Sequence, residues 1–177
     1  MRKLIAGVAA LLNIKGAMAG QELPSTTKQI SYRGGLVMFS LPSAWTEEYE
    51  PEGGGIFYAP GEETGTLRLD VITAKAPTPI SSSASREVLQ KIGHSQIERL
   101  PTGSAISNWV SREEDRGVPI TIYWWCVADV VEPDHIRIAN FSYSILSSQE
   151  KSARVASDLS FLEQSIRSIR FSPTLEY

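Results

Sequence analysis

Three ionisable side chains lie around one predicted turn, in the stretch DVVEPDH. Asp129, Asp134 and His135 carry oxygen and nitrogen donors, and Glu132 adds another carboxylate. Clustered oxygens are the ligands that a hard cation such as Ca²⁺ prefers. The sequence lacks the Asp-x-Asp-x-Asp-Gly spacing of a calcium loop, and proline and aspartate are also favoured at solvated hairpin tips. The stretch therefore predicts at most a weak metal site at Asp129, Asp134 and His135.

Other groupings that carry catalysis are missing from the sequence. The two histidines, His94 and His135, are far apart, and no Cys-x-x-Cys or His-Glu-x-x-His spacing occurs. There is no Gly-x-Ser-x-Gly nucleophile elbow. The run Gly53–Gly55 lacks the strand and helix that frame a phosphate-binding loop. We therefore expect no cofactor and no enzymatic activity.

Aromatic side chains are the more informative candidates. The stretch PITIYWWCVADVVEP holds Tyr123, Trp124, Trp125 and the single cysteine, Cys126. Side chains alternate between the two faces of a strand. Trp124 and Cys126 share a uniformly apolar or small face, which predicts core positions and an unreactive thiol. Tyr123 and Trp125 share the other face, where they either meet a helix or form an aromatic patch for a partner.

Two further tryptophans are candidates for partner binding. Trp109 shares its strand face with two serines, so we expect it to be half exposed. Trp45 lies in the loop that leaves the first strand; core packing is favoured for it, and an exposed anchor is the alternative, since tryptophan is enriched at binding hot spots. The predicted partner-binding residues are Trp125, Tyr123, Trp109 and Trp45.

The overall composition limits the class of protein. The chain has 177 residues, of which 42% are hydrophobic and 21% are charged, and this fits one globular domain with a sizeable core. Its formal net charge is −3. Nucleic-acid affinity depends on clustered Lys and Arg, so an acidic chain without a basic run is not expected to bind nucleic acid. One cysteine cannot form an intramolecular disulfide, so stability must come from packing.

The N-terminal segment 1–19 is typical of a secretory signal peptide. A short basic start precedes the apolar run Leu4–Leu12, and Ala17–Ala19 forms an A-x-A cleavage signature. The apolar run is too short to span a bilayer, so no stable membrane span is expected. Cleavage there would lower the formal net charge from −3 to −6 and leave a flexible segment at 20–30. The alternative is an amphipathic N-terminal helix of a cytosolic protein.

Hydrophobic periodicity predicts a single domain over residues 31–172, followed by a tail at 173–177. The run Leu36–Leu41 is apolar on both sides, as expected of a strand covered on both faces. The next two runs, GIFYAP and GTLRLDVITA, predict a β-hairpin. A short helix over about Ser85–Ile92 follows, and Gly93 is expected to end it.

Four strand-like runs follow, QIERL, AISNWVSRE, PITIYWWCVADVV and HIRIANFSYSIL, and their short turns are typical of an antiparallel meander. The C-terminal stretch SSQEKSARVASDLSFLEQSIRSIRF comes next, and it begins with Ser147 and Glu150 at capping-box spacing. A single apolar stripe then predicts a helix of about five turns. The stripe consists of Val155, Leu159, Leu162, Ile166 and Ile169. The fold class is therefore α+β, a meandering antiparallel β-sheet flanked by one short and one long C-terminal helix.

The stretch GGLVMFSLPSAWTEE resembles the opening of the PsbP-like fold superfamily, which includes the DcrB-related bacterial proteins. The residues that carry this resemblance are Phe39, Leu41, Pro42, Trp45, Gly65 and Leu67. The resemblance extends over about Ser31–Phe171. It implies an α/β/α sandwich, mostly non-enzymatic protein-binding roles and, for DcrB-like proteins, export. It carries no catalytic residues.

These observations favour a small exported, periplasmic protein that binds an unidentified protein partner through sheet-face and loop surfaces. One alternative is a cytosolic chaperone or adaptor for a secreted effector, which the same superfamily also contains. A less favoured alternative is an enzyme with a dispersed site around Asp129, Asp134 and His135.

Overall fold

Two antiparallel sheets and two helices build the fold. The computed structural model describes residues 26–76, 80, 81 and 83–174. The strands are β1 (Thr27–Tyr32), β2 (Val37–Pro42), β3 (Thr46–Tyr49), β4 (Gly55–Tyr58), β5 (Thr66–Lys75), β6 (Glu98–Arg99), β7 (Ala105–Asp115), β8 (Val118–Val131), β9 (His135–Leu146) and β10 (Arg170–Phe171). The helices are α1 (Ala84–Lys91) and α2 (Ala153–Arg167). The predicted signal peptide, residues 1–19, lies outside the described residues.

The main sheet has seven strands in the order β3-β4-β5-β9-β8-β7-β6, all antiparallel. Its second half confirms the predicted meander, and the pairing of β4 with β5 confirms the predicted hairpin. The two halves join where β5 pairs with β9, with Leu69 opposite Phe141. The sequence did not indicate this long-range pairing.

The small sheet has the order β1-β2-β10 and begins earlier than the sequence indicated. The sequence predicts a flexible segment over 20–30 and a domain that begins at Ser31, but β1 begins at Thr27. Ile30 and Tyr32 are each only 1% exposed, and Ile30 lies opposite Phe39 in the register. The prediction is wrong over residues 27–30 because burial of Ile30 against β2 favours the strand.

The larger part of the core lies between the main sheet on one side and the small sheet with α2 on the other. Phe39 of the small sheet meets Phe57 and Phe141 of the main sheet edge to face, at centroid distances of 5.5 and 5.2 Å. Such pairs add to the free energy gained by burial. Buried apolar residues of this core include Val37, Leu41, Leu67, Leu69, Val127, Leu162 and Ile166.

The opposite face of the main sheet is covered only in part. Helix α1 packs on it through Leu89, over a smaller core that includes Cys126, Ala128 and Ile138. Gly93 follows α1 with φ +101°, in the predicted position for a helix stop. The predicted α+β class, with one short and one long helix, is confirmed. The two helices lie on opposite faces of the main sheet.

Helix α2 begins later than the sequence indicated. Its N-cap is Ser152, whose Oγ accepts a hydrogen bond from the Val155 backbone N–H at 3.2 Å. The expected stripe is confirmed, since Val155, Leu162 and Ile166 are buried, although the helix ends at Arg167. Within the described residues, neither helix has the length and apolar character needed to cross a membrane.

The predicted capping box of Ser147 and Glu150 is wrong. Ser147 begins a single 3₁₀ turn, and its hydroxyl shares a hydrogen bond with Thr121 of β8 at 2.9 Å. The Glu150 carboxylate binds the Arg112 guanidinium of β7 at 3.1 Å. Both side chains are therefore used in tertiary contacts with the sheet, and these compete with the local cap that the spacing indicated.

Candidate functional site

Trp109 and Trp124 form a stacked aromatic pair across β7 and β8. They lie opposite each other in the register, with ring centroids 5.6 Å apart and planes 4° apart. Trp109 is 40% exposed, while Trp124 is partly buried and donates from Nε1 to the Ser111 hydroxyl at 3.0 Å. The ring of His94 lies 4.7 Å from Trp109, and burial lowers the pKa of His94. This Trp109–Trp124 platform is a fixed apolar surface that is open to solvent.

The structure corrects the assignment of the tryptophan pair. Trp124 was expected in the core, yet it belongs to the open platform. Trp125 is only 4% exposed and donates from Nε1 to Glu163 of α2 at 2.5 Å. Both faces of β8 are apolar. Helix α2 and the small sheet cover the face that carries Trp125 more fully than α1 covers the face that carries Trp124. Trp125 therefore meets a helix and cannot belong to an exposed patch.

Trp45 is also buried. It is 5% exposed, and its ring stacks on Tyr143 with centroids 6.2 Å apart. Its backbone carbonyl accepts a hydrogen bond from the Lys28 ammonium at 2.7 Å. Core packing, the favoured interpretation of Trp45, is confirmed, and the ring is not available as an exposed anchor.

Tyr123 lies in a groove of about 390 Å³ between α2 and the outer strands. Val110, which lies opposite Tyr123 in the register, is 48% exposed at the rim, and Leu159 of α2 lines the other side. Burial raises the pKa of Tyr123 above its ordinary value. The side chains of Val110 and Trp109 point to opposite faces of β7, because the two residues are neighbours along the strand, and Trp109 and Trp124 also contribute to the lining of this groove.

A second recess of about 500 Å³ lies beside the platform. Its lining combines the Trp109 ring with polar side chains, among them His94, Gln96 and Asn108. It lies between the segment Gly93–Gln96, which connects α1 to β6, and residues Ser107–Trp109 of β7. Recesses therefore flank β7 on both sides at the level of residues 107–110.

The outer edge of β7 is unpaired over most of its length. Strand β6 pairs only with Ala105 and Ile106, so within the described residues no strand lies beyond Ser107–Asp115. This segment, the β7 edge, presents its outward N–H and C=O groups to solvent. It is exposed from Asn108 onward except at the half-buried Ser111, and it ends in three consecutive acids.

The structure does not gather Asp129, Asp134 and His135 into a metal site. Asp134 pairs with Lys75 at 3.2 Å and lies 2.7 Å from Nδ1 of His135 at the hairpin tip. Asp129 is partly buried on β8, and this burial raises its pKa. Within the described part of the chain, no three His, Cys, Asp or Glu side chains are placed to hold a metal ion.

Cys126 is fully buried, and burial raises the pKa of its thiol to about 12. This agrees with the expected unreactive core cysteine.

Sequence reasoning missed His94, Val110 and the β7 edge. One signal could have indicated the edge. The run QIERL is much shorter than the neighbouring run AISNWVSREED. A strand formed by QIERL can therefore pair with only a small part of the longer strand, whose outer edge otherwise remains unpaired. Val110 and His94 carry no such signal, because their exposure depends on where α1 and α2 end.

The chain has the α+β fold that the sequence predicts, and two solved structures share this fold with it at low sequence identity. No protein-family model and no curated protein sequence matches it. A solved structure from Bacteroides thetaiotaomicron is 19% identical with a TM-score of 0.57 and covers 82% of this chain, which spans 48% of that one.

LpqN of Mycobacterium tuberculosis, described as involved in cell envelope biogenesis, is 9% identical with a TM-score of 0.54, over 84% of this chain and 91% of LpqN. PsbP of Synechocystis is 11% identical with a TM-score of 0.37, over 89% and 99% of the two chains. The likenesses to the Bacteroides structure and to LpqN show a shared fold and nothing about activity.

Proposed function

We propose that this chain is a small accessory protein of the bacterial cell envelope that binds a protein partner and performs no catalysis. The observation that carries the proposal is the arrangement around β7, where the Trp109–Trp124 platform, the Tyr123 groove and the β7 edge adjoin. Exposed aromatic rings are enriched at binding hot spots. Unpaired strand edges readily pair with another chain. Both features occur at one place on this protein.

The ionisable groups beside this surface support a binding role. Glu163 accepts hydrogen bonds from Trp125 and from Arg167, each at 2.5 Å. Arg112 and Glu150 form an ion pair at 3.1 Å. The Glu163–Trp125 hydrogen bond holds α2 against β8, and the Arg112–Glu150 pair holds the segment before α2 against β7, so the surface is fixed in shape before a partner arrives. Preformed surfaces lose less conformational entropy on binding.

The envelope location is supported by two observations of different kinds. The first is the signal-like pattern at the N-terminus, which ends at Ala19. The second is the shared fold with LpqN, a protein described as involved in cell envelope biogenesis. The partner is expected to be a protein of the same compartment.

A photocrosslinking amino acid placed at position 109 tests the proposal in growing cells. We expect it to yield a discrete adduct of higher mass, because Trp109 lies at the centre of the proposed surface. The matched control is the same amino acid at Tyr49, an aromatic residue that is 50% exposed on β3 at the far edge of the main sheet. Absence of an adduct at 109, or the same adducts from both positions, would contradict the proposal.

The same cells report the compartment. A chain that begins at Gly20 in the periplasmic fraction supports export, whereas an uncleaved chain in the cytoplasm supports the chaperone or adaptor alternative.

A further inference from the structure

We propose that the β7 edge binds its partner by strand addition, as an extended peptide antiparallel to Ser107–Asp115 with basic residues in its N-terminal part. This inference rests on the proposed function and specifies how the partner is held. Strand addition is a common mode of peptide recognition, in which backbone hydrogen bonds supply affinity and alternate side chains supply specificity.

The sheet provides space for an added strand beyond the end of β6. Strand β6 lies antiparallel to β7 and stops after Glu98 pairs with Ile106. The preceding residues Gly93–Gln96 do not pair with β7, and the 500 Å³ recess lies between them and Ser107–Trp109. A partner strand can therefore occupy the position that β6 leaves free, opposite Ser107 and the residues that follow.

Both faces of the added strand would meet a recess. Its alternate side chains point to opposite faces of the sheet. Those opposite Val110 would enter the Tyr123 groove, where apolar side chains are favoured beside Val110 and Leu159. Those opposite Trp109 would contact the platform and the recess lined by His94 and Gln96. We therefore expect a partner sequence in which aliphatic residues alternate with polar or aromatic ones.

The charge of the β7 edge selects the partner's charge. Glu113, Glu114 and Asp115 are exposed, and no ion pair within the described residues involves them. The adjacent Arg112 is already paired with Glu150. In an antiparallel arrangement the N-terminal part of the partner lies beside these acids. Lys or Arg there would complement them, as charge pairs do at protein interfaces.

A second copy of this chain is a poorer occupant. A twofold pairing of two β7 edges centred on Ser111 would place each acidic end beside Ser107–Trp109, where it meets no cation. A pairing centred on Glu114 would bring six carboxylates together, and one centred on Arg112 would place two guanidinium groups opposite each other. Like charges directly opposite each other destabilise paired strands. A peptide of a different protein is therefore favoured.

A displayed library of random nine-residue peptides tests this inference on the full chain. We expect the selected peptides to carry Lys or Arg in their first positions and β-branched or aliphatic residues at alternate positions after them. Methylating alternate backbone nitrogens removes the N–H donors and keeps the side chains. We expect this change to weaken binding roughly tenfold to hundredfold, since several backbone hydrogen bonds are lost.

The Val110→Lys variant should lose the selected peptides, and the matched Ile72→Lys variant, on β5 in the other half of the main sheet, should keep them. Val110 and Ile72 are 48% and 50% exposed, so both substitutions are compatible with folding. Peptides that bind equally well after methylation would overturn strand addition, as would equal binding to both variants. A concentration-dependent dimer that Val110→Lys abolishes would overturn it in favour of a second copy. If a crosslink at 109 persists in these cases, the proposed function stands and only the binding mode fails.

Discussion

The Arg137→Met variant is expected to lose about 3 kcal/mol of unfolding free energy. Arg137 has no exposed surface, although it carries a charge. Its guanidinium donates to Thr73 Oγ1 at 3.1 Å and to the carbonyls of Ser172 and Thr174 at 2.7 and 3.0 Å. It also favours the ionised form of Asp129, which lies opposite it in the register. Methionine would fill the space but lose all three of these hydrogen bonds, which connect the buried position to β5 and to the segment after β10.

Urea denaturation followed by tryptophan fluorescence measures this loss. The matched control is Arg68→Met, because Arg68 is exposed on the neighbouring strand β5. We expect the control to change the unfolding free energy by less than about 0.5 kcal/mol. A similar small change at Arg137 would show that the buried guanidinium does not hold the segment after β10 on the main sheet.

The second large effect is expected from Gly65→Ala, at about 2–3 kcal/mol. A Cβ at this position would overlap the ring of Tyr143. That ring cannot withdraw, because Tyr143 has no exposed surface and its hydroxyl donates to Asp158 at 2.8 Å. Glycine is therefore required here by close packing, and its backbone conformation is not the reason.

A double-mutant cycle with Tyr143→Leu isolates this contact. Leucine lacks the far end of the ring, so Gly65→Ala should cost less than about 1 kcal/mol in that background. The free energy of unfolding of all four proteins gives the coupling between the two positions. An equal cost of Gly65→Ala in both backgrounds would mean that the ring is not what excludes the Cβ.

Local structure could be predicted where the sequence has a strong period. The run that forms β8 and the stripe of α2 were assigned correctly because alternation and helical spacing are properties of neighbouring residues. The pairing of β5 with β9 was not predicted, since Leu69 and Phe141 are far apart in the chain. The same holds for β10, where Arg170 pairs with Met38.

The faces of β8 show a second reason why prediction from sequence is incomplete. Trp124 and Trp125 both lie among apolar residues, so the alternation of side chains along β8 does not indicate which of the two rings is more deeply buried. The answer depends on α2, whose Glu163 accepts the Trp125 N–H, and on α1, which packs on a smaller core that does not include Trp124. The exposure of a side chain is therefore set by elements distant in sequence.

The candidate surface was predicted in part. Tyr123 and Trp109 were selected from the sequence and lie beside the β7 edge, whereas Trp45 and Trp125 are buried. Exposed rings and buried rings have the same residue type, so only the packing separates them. The candidate metal residues shared a stretch of sequence, but strand pairing held Asp129 apart from the hairpin tip.

Thiol alkylation of a Val110→Cys variant tests the proposed binding surface most directly, because it requires no knowledge of the partner. The native Cys126 is buried with a pKa of about 12, so it does not react under these conditions. In the envelope of growing cells we expect position 110 to react roughly tenfold more slowly than in the purified protein, because a bound partner covers it. The Ile72→Cys variant, with 50% exposure on β5 in the other half of the main sheet, should react at the same rate in both settings. Equal rates at position 110 in the two settings, or protection of position 72 in place of 110, would contradict binding at the β7 edge.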